Sequence, residues 1–245
     1  MLVNVLCMKW GTKYGATFVN KLHQMVKRHL SIPFRFVCLT DDPKGIDEGI
    51  EVFPIPPFPQ KNSIHSSKAI RDGGWKKLLT FSSPLYDLTG TALFLDLDLV
   101  IVDKIDDFFL PQGDFFIIRD WLKPEITGNS SVYRFEIGKH PDILYRFCAE
   151  EDKIRNLYRN EQEYLTASMK EKGLLAYWDD ELVKSFKRHC VYPGIQSWFR
   201  EPKLPDKARI IVFHGQPNPD QAIEGKGGKW FRHVRPTKWV EQHWK

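Results

Sequence analysis

The chain has 245 residues, of which 42% are hydrophobic and 27% charged, and its formal net charge is +5 at pH 7. This composition is typical of a globular protein with one large domain, or with a core domain and a small appendage. No apolar run reaches about 18 residues, which excludes a transmembrane helix, and the N-terminus lacks the basic and long apolar regions of a signal peptide. The four cysteines form no CxxC pair, so we expect free thiols and a cytoplasmic location.

In the first half of the chain, short apolar runs alternate with segments of helical periodicity. We predict strands at residues 3–8, 34–39, 51–55 and 92–96, and helices at 16–30 and 75–81. The proline-rich segment 56–66 interrupts this pattern and is predicted to be a loop that closes over a ligand. Because strands and helices alternate, the sheet should be largely parallel and covered by helices on both faces.

The second half contains weaker signals and a distinctive C-terminal end. We predict strands at 115–118 and 209–213, with helices at 141–150 and 161–170. Residues 225–245 are basic and contain three tryptophans, so we expect a domain of residues 1–220 and a tail of residues 221–245.

A basic, aromatic tail suits an anionic membrane surface or a polyanionic ligand. Alternatively, its tryptophans pack on the domain while its lysines stay in water. Nucleic acid is not an expected partner, because no nucleic-acid-binding signature accompanies the charge.

The run FLDLDLVIVD, residues 94–103, places Asp96 and Asp98 one residue apart at the end of an apolar strand. Alternate residues of a strand point to the same side, so both carboxylates should face one place. A buried carboxylate needs a partner, and two carboxylates suit a hard divalent cation such as Mg²⁺ or Mn²⁺. His214 follows another apolar run and is a candidate third ligand, since manganese accepts imidazole. A lone histidine is, however, more often structural than a ligand.

Polar clusters follow four of the predicted strands. In open α/β sheets, ligands bind at the carboxyl ends of the strands. We therefore expect one crevice lined by these clusters: Lys9-Trp10-Gly11, Asp41-Asp42, Asp96-Leu97-Asp98 and His214-Gly215.

Six segments occur in an order that points to a known family: GGWKKLLTF (73–81), FLDLDLVIVDKIDDFF (94–109), FFIIRDW (115–121), GNSSVYRF (128–135), NEQEYL (160–165) and VFHGQPNP (212–219). Together they resemble the nucleotide-sugar glycosyltransferases of the GT-A fold. The nearest set is the retaining kind that includes glycogenin and the bacterial lipopolysaccharide galactosyltransferases. The resemblance extends from the first strand to about residue 220 and implies a Rossmann-like α/β fold with a largely parallel sheet.

The resemblance implies roles for individual residues. The ligands of a bound Mn²⁺ or Mg²⁺ would be Asp96, Asp98 and His214. The catalytic candidates beside the transferred sugar are Gln162, Glu161 and Asp120. The donor-binding candidates are Trp10, Tyr14, Asp41, Lys77, Asp96, Leu97, Asn129 and Gly215.

Simpler explanations stay open for several of these residues. Lys77 could lie on a solvated helix face, and Glu161 could favour the start of a helix, where negative charge is stabilising. Asp120 could form a surface ion pair with Arg119, and Asn129 could be a turn residue.

The chain departs from the family pattern at two places. Lys9-Trp10 stands where the family often has an aspartate that reads the uracil edge, and Asp41 or Asp42 is the candidate replacement. Asn218 stands near the position of the lysine that usually meets the donor phosphates. The tail residues Lys226, Lys229 and Arg232 are the candidates to compensate.

The sequence therefore predicts a metal-dependent glycosyltransferase. It would move a hexose, with retention, from a nucleoside diphosphate sugar such as a UDP-sugar to a glycan or glycolipid acceptor. Its tail would hold it peripherally at the inner membrane face.

Two alternatives remain. One is a haloacid-dehalogenase-like phosphatase with Asp96 as nucleophile and Asp98 as acid/base, although Leu99-Val100 stands where that loop has Gly-Thr. The other is a non-catalytic sugar-nucleotide-binding module.

Overall fold

The computed structural model describes residues 2–59, 73–123 and 127–245. Strands within these ranges are β1 (Val3–Lys9), β2 (Phe34–Thr40), β3 (Glu51–Pro54), β4 (Thr91–Leu95), β5 (Leu99–Ile101), β6 (Phe115–Arg119), β7 (Gly128–Glu136), β8 (Leu175–Tyr177), β9 (Val183–Ser185) and β10 (Ile210–Val212). The α-helices are α1 (Ala16–His29), α2 (Pro141–Ala149), α3 (Glu151–Leu157), α4 (Glu161–Glu171), α5 (Gln196–Phe199), α6 (Pro219–Glu224) and α7 (Lys238–His243). Gly73–Phe81 and Asp106–Phe108 form 3₁₀ helices, and Phe186–Cys190 forms a π-helix.

The strands form a large sheet and a small one. The large sheet has seven strands in the order β3-β2-β1-β4-β7-β6-β8. All of its pairings are parallel except those of β7, which runs antiparallel to both β4 and β6. The prediction of a largely parallel sheet is therefore confirmed. The small sheet has the order β5-β10-β9, with β10 antiparallel to β5 and parallel to β9.

Local sequence explains the elements that position the site. All seven residues of β1 are buried, as expected for a central parallel strand covered on both faces. Helix α1 turns an apolar stripe that includes Val19, Leu22 and Val26 towards the sheet. Helix α4 begins at Glu161, because the Asn160 side chain accepts a hydrogen bond of 3.1 Å from the Glu163 backbone N–H.

The predicted elements agree with the structure to within two residues at most boundaries, with one change of type. The segment predicted as a helix at 75–81 is a 3₁₀ helix that begins at Gly73. Its apolar residues, including Trp75, Leu78 and Phe81, are buried in the core on the same face of the sheet as α2 and α4.

Strand β7 is absent from the sequence-based prediction, although it contains the family motif GNSSVYRF (128–135). Asn129, for which a turn was one explanation, lies inside this strand and pairs with Ile118. A register shift between Ile117 and Ile118 accommodates the small residues at the start of β7. The strand depends on pairing with β4 and β6, so its local sequence, which is partly polar, gives little sign of it.

The C-terminal segment packs against the domain. Helix α6 spans residues on both sides of the predicted boundary after residue 220. Val240 and Trp244 are buried in the same cluster as the inner face of α1. The Lys21 ammonium lies 3.8 Å from the centre of the Trp244 ring, whereas Trp230 is 81% exposed. The segment therefore combines a docked helix with an exposed aromatic stretch.

Three further expectations concern a membrane span, the loop at 56–66 and the cysteines. None of the helices in these ranges has the length and apolar character needed to span a membrane. Of the predicted loop at 56–66, residues 60–66 lie outside the described ranges. All four cysteines are free thiols.

Candidate functional site

An acidic cavity lies at the carboxyl ends of β1 and β4, where the parallel strands of the large sheet were expected to present ligand-binding residues. It has a volume of about 190 Å³. Asp96, Leu97 and Asp98 connect β4 of the large sheet to β5 of the small one, so the triplet lies where the two sheets meet. The described residues that line the cavity are Met8, Trp10, Lys13, Tyr14, Gly74, Lys77, Asp96, Leu97, Asp98 and Glu161.

Lys77 is the centre of a charge network on one wall of this cavity. Its ammonium lies 2.7 and 2.9 Å from the two carboxylate oxygens of Asp96 and 3.9 Å from Glu161. Ser130 joins the same network, since its hydroxyl donates a 2.8 Å hydrogen bond to Glu161. Burial lowers the pKa of Lys77, but the charges of Asp96 and Glu161 outweigh burial and leave that pKa raised. Lys77 is therefore a buried, charged lysine and does not lie on a solvated helix face.

Gly74 allows this network to form. A Cβ at this position would lie 2.7 Å from a carboxylate oxygen of Glu161. A side chain at residue 74 would require the Glu161 carboxylate to move, so glycine leaves room for that carboxylate beside Lys77. The same 3₁₀ helix thus supplies both Lys77 and the space for the Glu161 carboxylate.

Asp98 forms the other side of the acidic pair. It is buried, and the Tyr14 hydroxyl donates a 2.7 Å hydrogen bond to it. Burial, together with the negative charge of Asp96, raises the pKa of Asp98 to about 6. The hydrogen bond from Tyr14 and the charges of Lys13 and Lys77 act in the other direction but do not offset burial and Asp96. Two neighbouring carboxylates in that condition fit a hard divalent cation.

His214 lies apart from the two aspartates and contacts other residues. Its Nε2 shares a 2.7 Å hydrogen bond with the Ser185 hydroxyl, and its ring stacks on Trp121 at 5.3 Å. Burial and the nearby cations, first among them Lys187, lower the pKa of His214 to about 4. Across the described ranges, no group of three His, Cys, Asp or Glu side chains is gathered to hold a metal ion. The structure thus brings Asp96 and Asp98 together and leaves the predicted third ligand in a neighbouring cavity.

That neighbouring cavity, which we call the basic cavity, has a volume of about 520 Å³. It is close to the acidic pair, because the Phe213 backbone N–H donates a 2.8 Å hydrogen bond to the Asp98 carbonyl oxygen. The described residues that line it are Leu122, Lys187, Arg188, His214, Gln216, Pro217, Gly227, Gly228, Lys229, Arg232 and Val234.

The predicted catalytic residues outside the acidic cavity lie against its wall. Gln162 accepts a hydrogen bond of 3.4 Å from the Ser130 backbone N–H, and its amide nitrogen is 3.5 Å from Asp120. Asp120 also accepts hydrogen bonds from the backbone N–H groups of Leu122 and Lys123. The ion pair considered for Asp120 is not formed, because Arg119 pairs with Asp180 at 3.4 Å.

Three predicted donor-binding residues have structural roles within their own loops or strands. Asp41 is exposed and accepts a 3.0 Å hydrogen bond from the Gly11 backbone N–H, which ties the loops after β1 and β2 together. Asn129 is buried, and its side chain accepts a 2.9 Å hydrogen bond from the Ser131 backbone N–H. Gly215 has a φ of +78°, and a Cβ there would lie 3.2 Å from the Lys187 ammonium. None of the three is among the described residues that line the acidic cavity.

Sequence reasoning missed several residues of the two cavities. Ser130 was within a quoted motif, but its bridge between Lys77 and Glu161 had no local signal. Lys187 and Arg188 stand in the run FKRHC, which follows β9 and gives no sign that the small sheet carries it to His214. Lys229 and Arg232, proposed as compensating tail residues, do lie beside His214, whereas Lys226 pairs with Glu224 at 2.6 Å.

Comparisons with known proteins bear on the fold. No protein-family model and no curated protein sequence matches the chain. The galactosyltransferase LgtC, solved in complex with donor and acceptor sugar analogues, superposes with a TM-score of 0.57 at 13% identity, over 88% of both chains. The chain has a GT-A glycosyltransferase fold. The structure of an active-site mutant of LgtC has a TM-score of 0.60 at 13% identity, covering 88% of this chain and 89% of LgtC.

The GT-A fold also relates the chain to a longer protein. The apo form of the glycosyltransferase GlyE from Streptococcus pneumoniae TIGR4 has a TM-score of 0.59 at 15% identity. The match covers 89% of this chain and 56% of GlyE. At these identities the likeness establishes the fold, and the chemistry has to be argued from the site.

The GT-A fold removes the structural basis of the phosphatase alternative. That reading placed Asp96 and Asp98 in a nucleophile loop with a Gly-Thr turn. Here Leu99–Ile101 continue directly as β5, paired with β10. The aspartates therefore occupy a short connection between two sheets.

Proposed function

We propose that the chain is a glycosyltransferase that moves a hexose from a nucleoside diphosphate sugar, a UDP-sugar, to a hydroxyl group of a glycan or glycolipid acceptor, with retention at the anomeric carbon. The observation that carries this proposal is the meeting of Asp96, Asp98 and Lys77 in one cavity at the carboxyl edge of a GT-A sheet. A partly compensated acidic pair beside a buried lysine suits a cation-bound diphosphate.

The reaction requires a stable leaving group. The bond between the anomeric carbon and the diphosphate oxygen breaks, a bond from that carbon to the acceptor oxygen forms, and the proton of the acceptor hydroxyl passes to the departing diphosphate. Mn²⁺ or Mg²⁺ held by Asp96 and Asp98 would neutralise the charge that develops on the departing diphosphate. His214 stays the proposed third ligand, which would exchange its hydrogen bond to Ser185 for the cation.

Protein side chains supply the rest of the proposed mechanism. Lys77 contributes fixed positive charge beside the diphosphate, with its position set by Asp96 and Ser130. Glu161 and Gln162 begin α4 next to Lys77, where a carboxylate and an amide can stabilise positive charge on the anomeric carbon as it develops oxocarbenium character.

The other proposed contacts surround this centre. Asp120, tied to Gln162, is proposed to hold sugar hydroxyls. The base end of the donor is proposed to lie along Trp10 and Tyr14, whose aromatic rings line the mouth of the acidic cavity. Asp41, Leu97, Asn129 and Gly215 complete the proposed donor surroundings.

A thermal-shift screen of UDP-, GDP- and dTDP-sugars, each with and without Mn²⁺, tests this proposal. A ligand that binds only the folded state raises the melting temperature by mass action. We expect a UDP-sugar with Mn²⁺ to give the largest increase and EDTA to abolish it. Asp98→Asn should remove the Mn²⁺-dependent part of the shift.

Donor turnover distinguishes the alternatives. We expect slow, Mn²⁺-dependent release of UDP from the UDP-sugar when water replaces the acceptor. Binding without any release would favour a non-catalytic module. Phosphate release from a generic phosphate ester, with no response to any sugar nucleotide, would contradict the transferase proposal and revive the phosphatase.

A further inference from the structure

The basic cavity contains four cations from two distant parts of the chain. Lys187 and Arg188 come from the π-helix after β9, and Lys229 and Arg232 from the short bridged turn in the C-terminal segment. Within the part of the chain that the structure describes, none of the four forms an ion pair with a carboxylate. A concave surface with one sign of charge attracts counter-ions strongly.

The four positive charges repel one another when no anion is bound. Burial, followed by the charges of Arg232, Arg188 and Lys229, lowers the pKa of Lys187. The folded chain therefore holds Lys187 at a cost that a bound anion would remove.

The wall of the cavity is closely packed, so the cations are held on a fixed scaffold. A Cβ at Gly227 would lie 3.0 Å from the Cα of Pro217, and one at Gly228 would lie 2.7 Å from the Val234 backbone nitrogen. On the opposite wall, the space beside Gly215 accommodates the Lys187 ammonium. Close backbone approach at Gly227 and Gly228, and the space beside Gly215, bring the cations together across one opening.

The proposed donor site has its own countercharge. In the proposed function, the diphosphate is neutralised by a divalent cation at Asp96 and Asp98 and by Lys77, all in the acidic cavity. The basic cavity lies next to it, on the far side of the Phe213–Asp98 hydrogen bond. Lys229 and Arg232 are also the tail candidates to meet the donor phosphates, but Lys187 and Arg188 have no such role, so the cavity has positive charge available for a second anionic group.

We propose that the acceptor carries a phosphate group, which binds in the basic cavity through Lys187, Arg188, Lys229 and Arg232 while the acceptor hydroxyl faces the donor. This assignment rests on the proposed function and specifies its acceptor class. Guanidinium and ammonium groups are the usual partners of phosphate oxygens.

The phosphate can belong to a soluble sugar phosphate or to a lipid headgroup, and both have the same chemistry at the cavity. The aromatic side chains of Trp230 and Phe231, next in sequence to the cavity cations, are 81% and 42% exposed. Separate measurements with soluble and vesicle-borne phosphate distinguish the two sources.

Calorimetric titration of the full chain, saturated with UDP and Mn²⁺, provides the test. The soluble probes are glucose 6-phosphate and glucose, and the vesicle probes are phosphatidylcholine with and without phosphatidic acid. We expect glucose 6-phosphate or the phosphatidic acid vesicles to bind, while glucose and the pure phosphatidylcholine vesicles, whose phosphate is esterified and neutralised by choline, do not. The double variant Lys187→Gln, Arg232→Gln should weaken binding by about tenfold or more. Lys238→Gln, which removes an exposed charge of the same segment outside the cavity, should leave it unchanged.

Competition decides whether the cavity is separate from the donor site. Displacement of the phosphate probe by UDP would overturn the inference, because the cations would then serve the donor diphosphate. Failure of every phosphate probe to bind, with the Mn²⁺-dependent UDP-sugar shift intact, would overturn the inference and leave the proposed function standing. Phosphate binding without any sugar-nucleotide response would overturn both.

Discussion

At the scale of single residues, Lys77 shows why a buried charge can be retained. It is 8% exposed, yet it is surrounded by Asp96, Glu161 and the Ser130 hydroxyl. Its neighbour Lys76 is more exposed and has its ammonium 6.0 Å from the Trp10 ring. Two adjacent lysines of the same 3₁₀ helix therefore have different physical roles.

Replacing Lys77 by methionine should destabilise the protein by about 3–5 kcal/mol at pH 7, because Asp96 and Glu161 would be left with an uncompensated buried charge. The free energy of unfolding in urea measures the effect. Lys76→Met, the matched change one residue earlier, should cost less than about 1 kcal/mol.

The double variant Lys77→Met, Asp96→Asn is the second check on this network. It should recover part of the lost stability, since one unpaired carboxylate is removed with its partner. Equal losses for the Lys76 and Lys77 variants would contradict the network.

At the scale of secondary-structure elements, the docking of α7 on α1 is the feature that the sequence left undecided. Trp244 contacts Phe18 at a ring separation of 5.1 Å, and the Lys21 ammonium donates to its carbonyl oxygen at 3.1 Å. Arg28, in the last turn of α1, donates to the carbonyl oxygens of His243 and Lys245. These contacts also satisfy free carbonyl groups at the end of α7.

Trp244→Ala should therefore lower the free energy of unfolding by about 3–5 kcal/mol, as expected for removal of a buried tryptophan. Trp230→Ala offers a matched control, because that side chain is 81% exposed. It should change stability by no more than about 0.5 kcal/mol. Chemical denaturation of the two variants compares them directly, and a small loss for Trp244→Ala would mean that α7 is not held as described.

At the scale of the whole molecule, six buried or half-buried histidines give stability a common pH dependence. Burial is the main cause that lowers the pKa of each of six histidines below the ordinary value of 6.5: His23, His29, His140, His189, His214 and His243. Below pH 6.5 the unfolded chain binds more protons at these positions than the folded chain does. Their contribution to stability is therefore present above pH 6.5 and is lost as the pH falls.

Asp98 acts in the opposite direction. Burial and the charge of Asp96 raise its pKa to about 6, so the folded chain takes up this proton before the unfolded chain does. Stability gained from Asp98 therefore increases as the pH falls below 6 and partly offsets the histidines.

We expect the melting temperature of the ligand-free protein to fall between about pH 7.5 and about pH 5.5. Asp98→Asn should make the decline below pH 6 steeper, because it removes the opposing contribution. At pH 7 it should raise the melting temperature, because it removes a buried and poorly compensated charge. A stability that rises steadily as the pH is lowered across this range would refute the assignment.

The sequence by itself determined the strands and helices of the first half and the position of the aspartates. Two of these strands, Val3–Lys9 and Thr91–Leu95, are largely apolar, as expected for strands covered on both faces of a sheet. Their alternation with helices such as α1 predicts parallel pairing. Asp96 and Asp98 follow one such run, so their place at the carboxyl edge was fixed locally. The family resemblance added Lys77 and Glu161, which the structure brings into the same cavity.

Only the tertiary structure decided the rest. The insertion of β7, the second sheet and the packing of α7 depend on contacts between residues far apart in sequence, which local periodicity does not encode. The same applies to the separation of His214 from the aspartates, since Ser185 from another strand of the small sheet sets its orientation. Lys187 and Arg232 meet because that sheet and the C-terminal segment close around one space. Charges from distant segments act together only after the backbone has placed them within a few ångströms, which is why the basic cavity could not be predicted from the sequence.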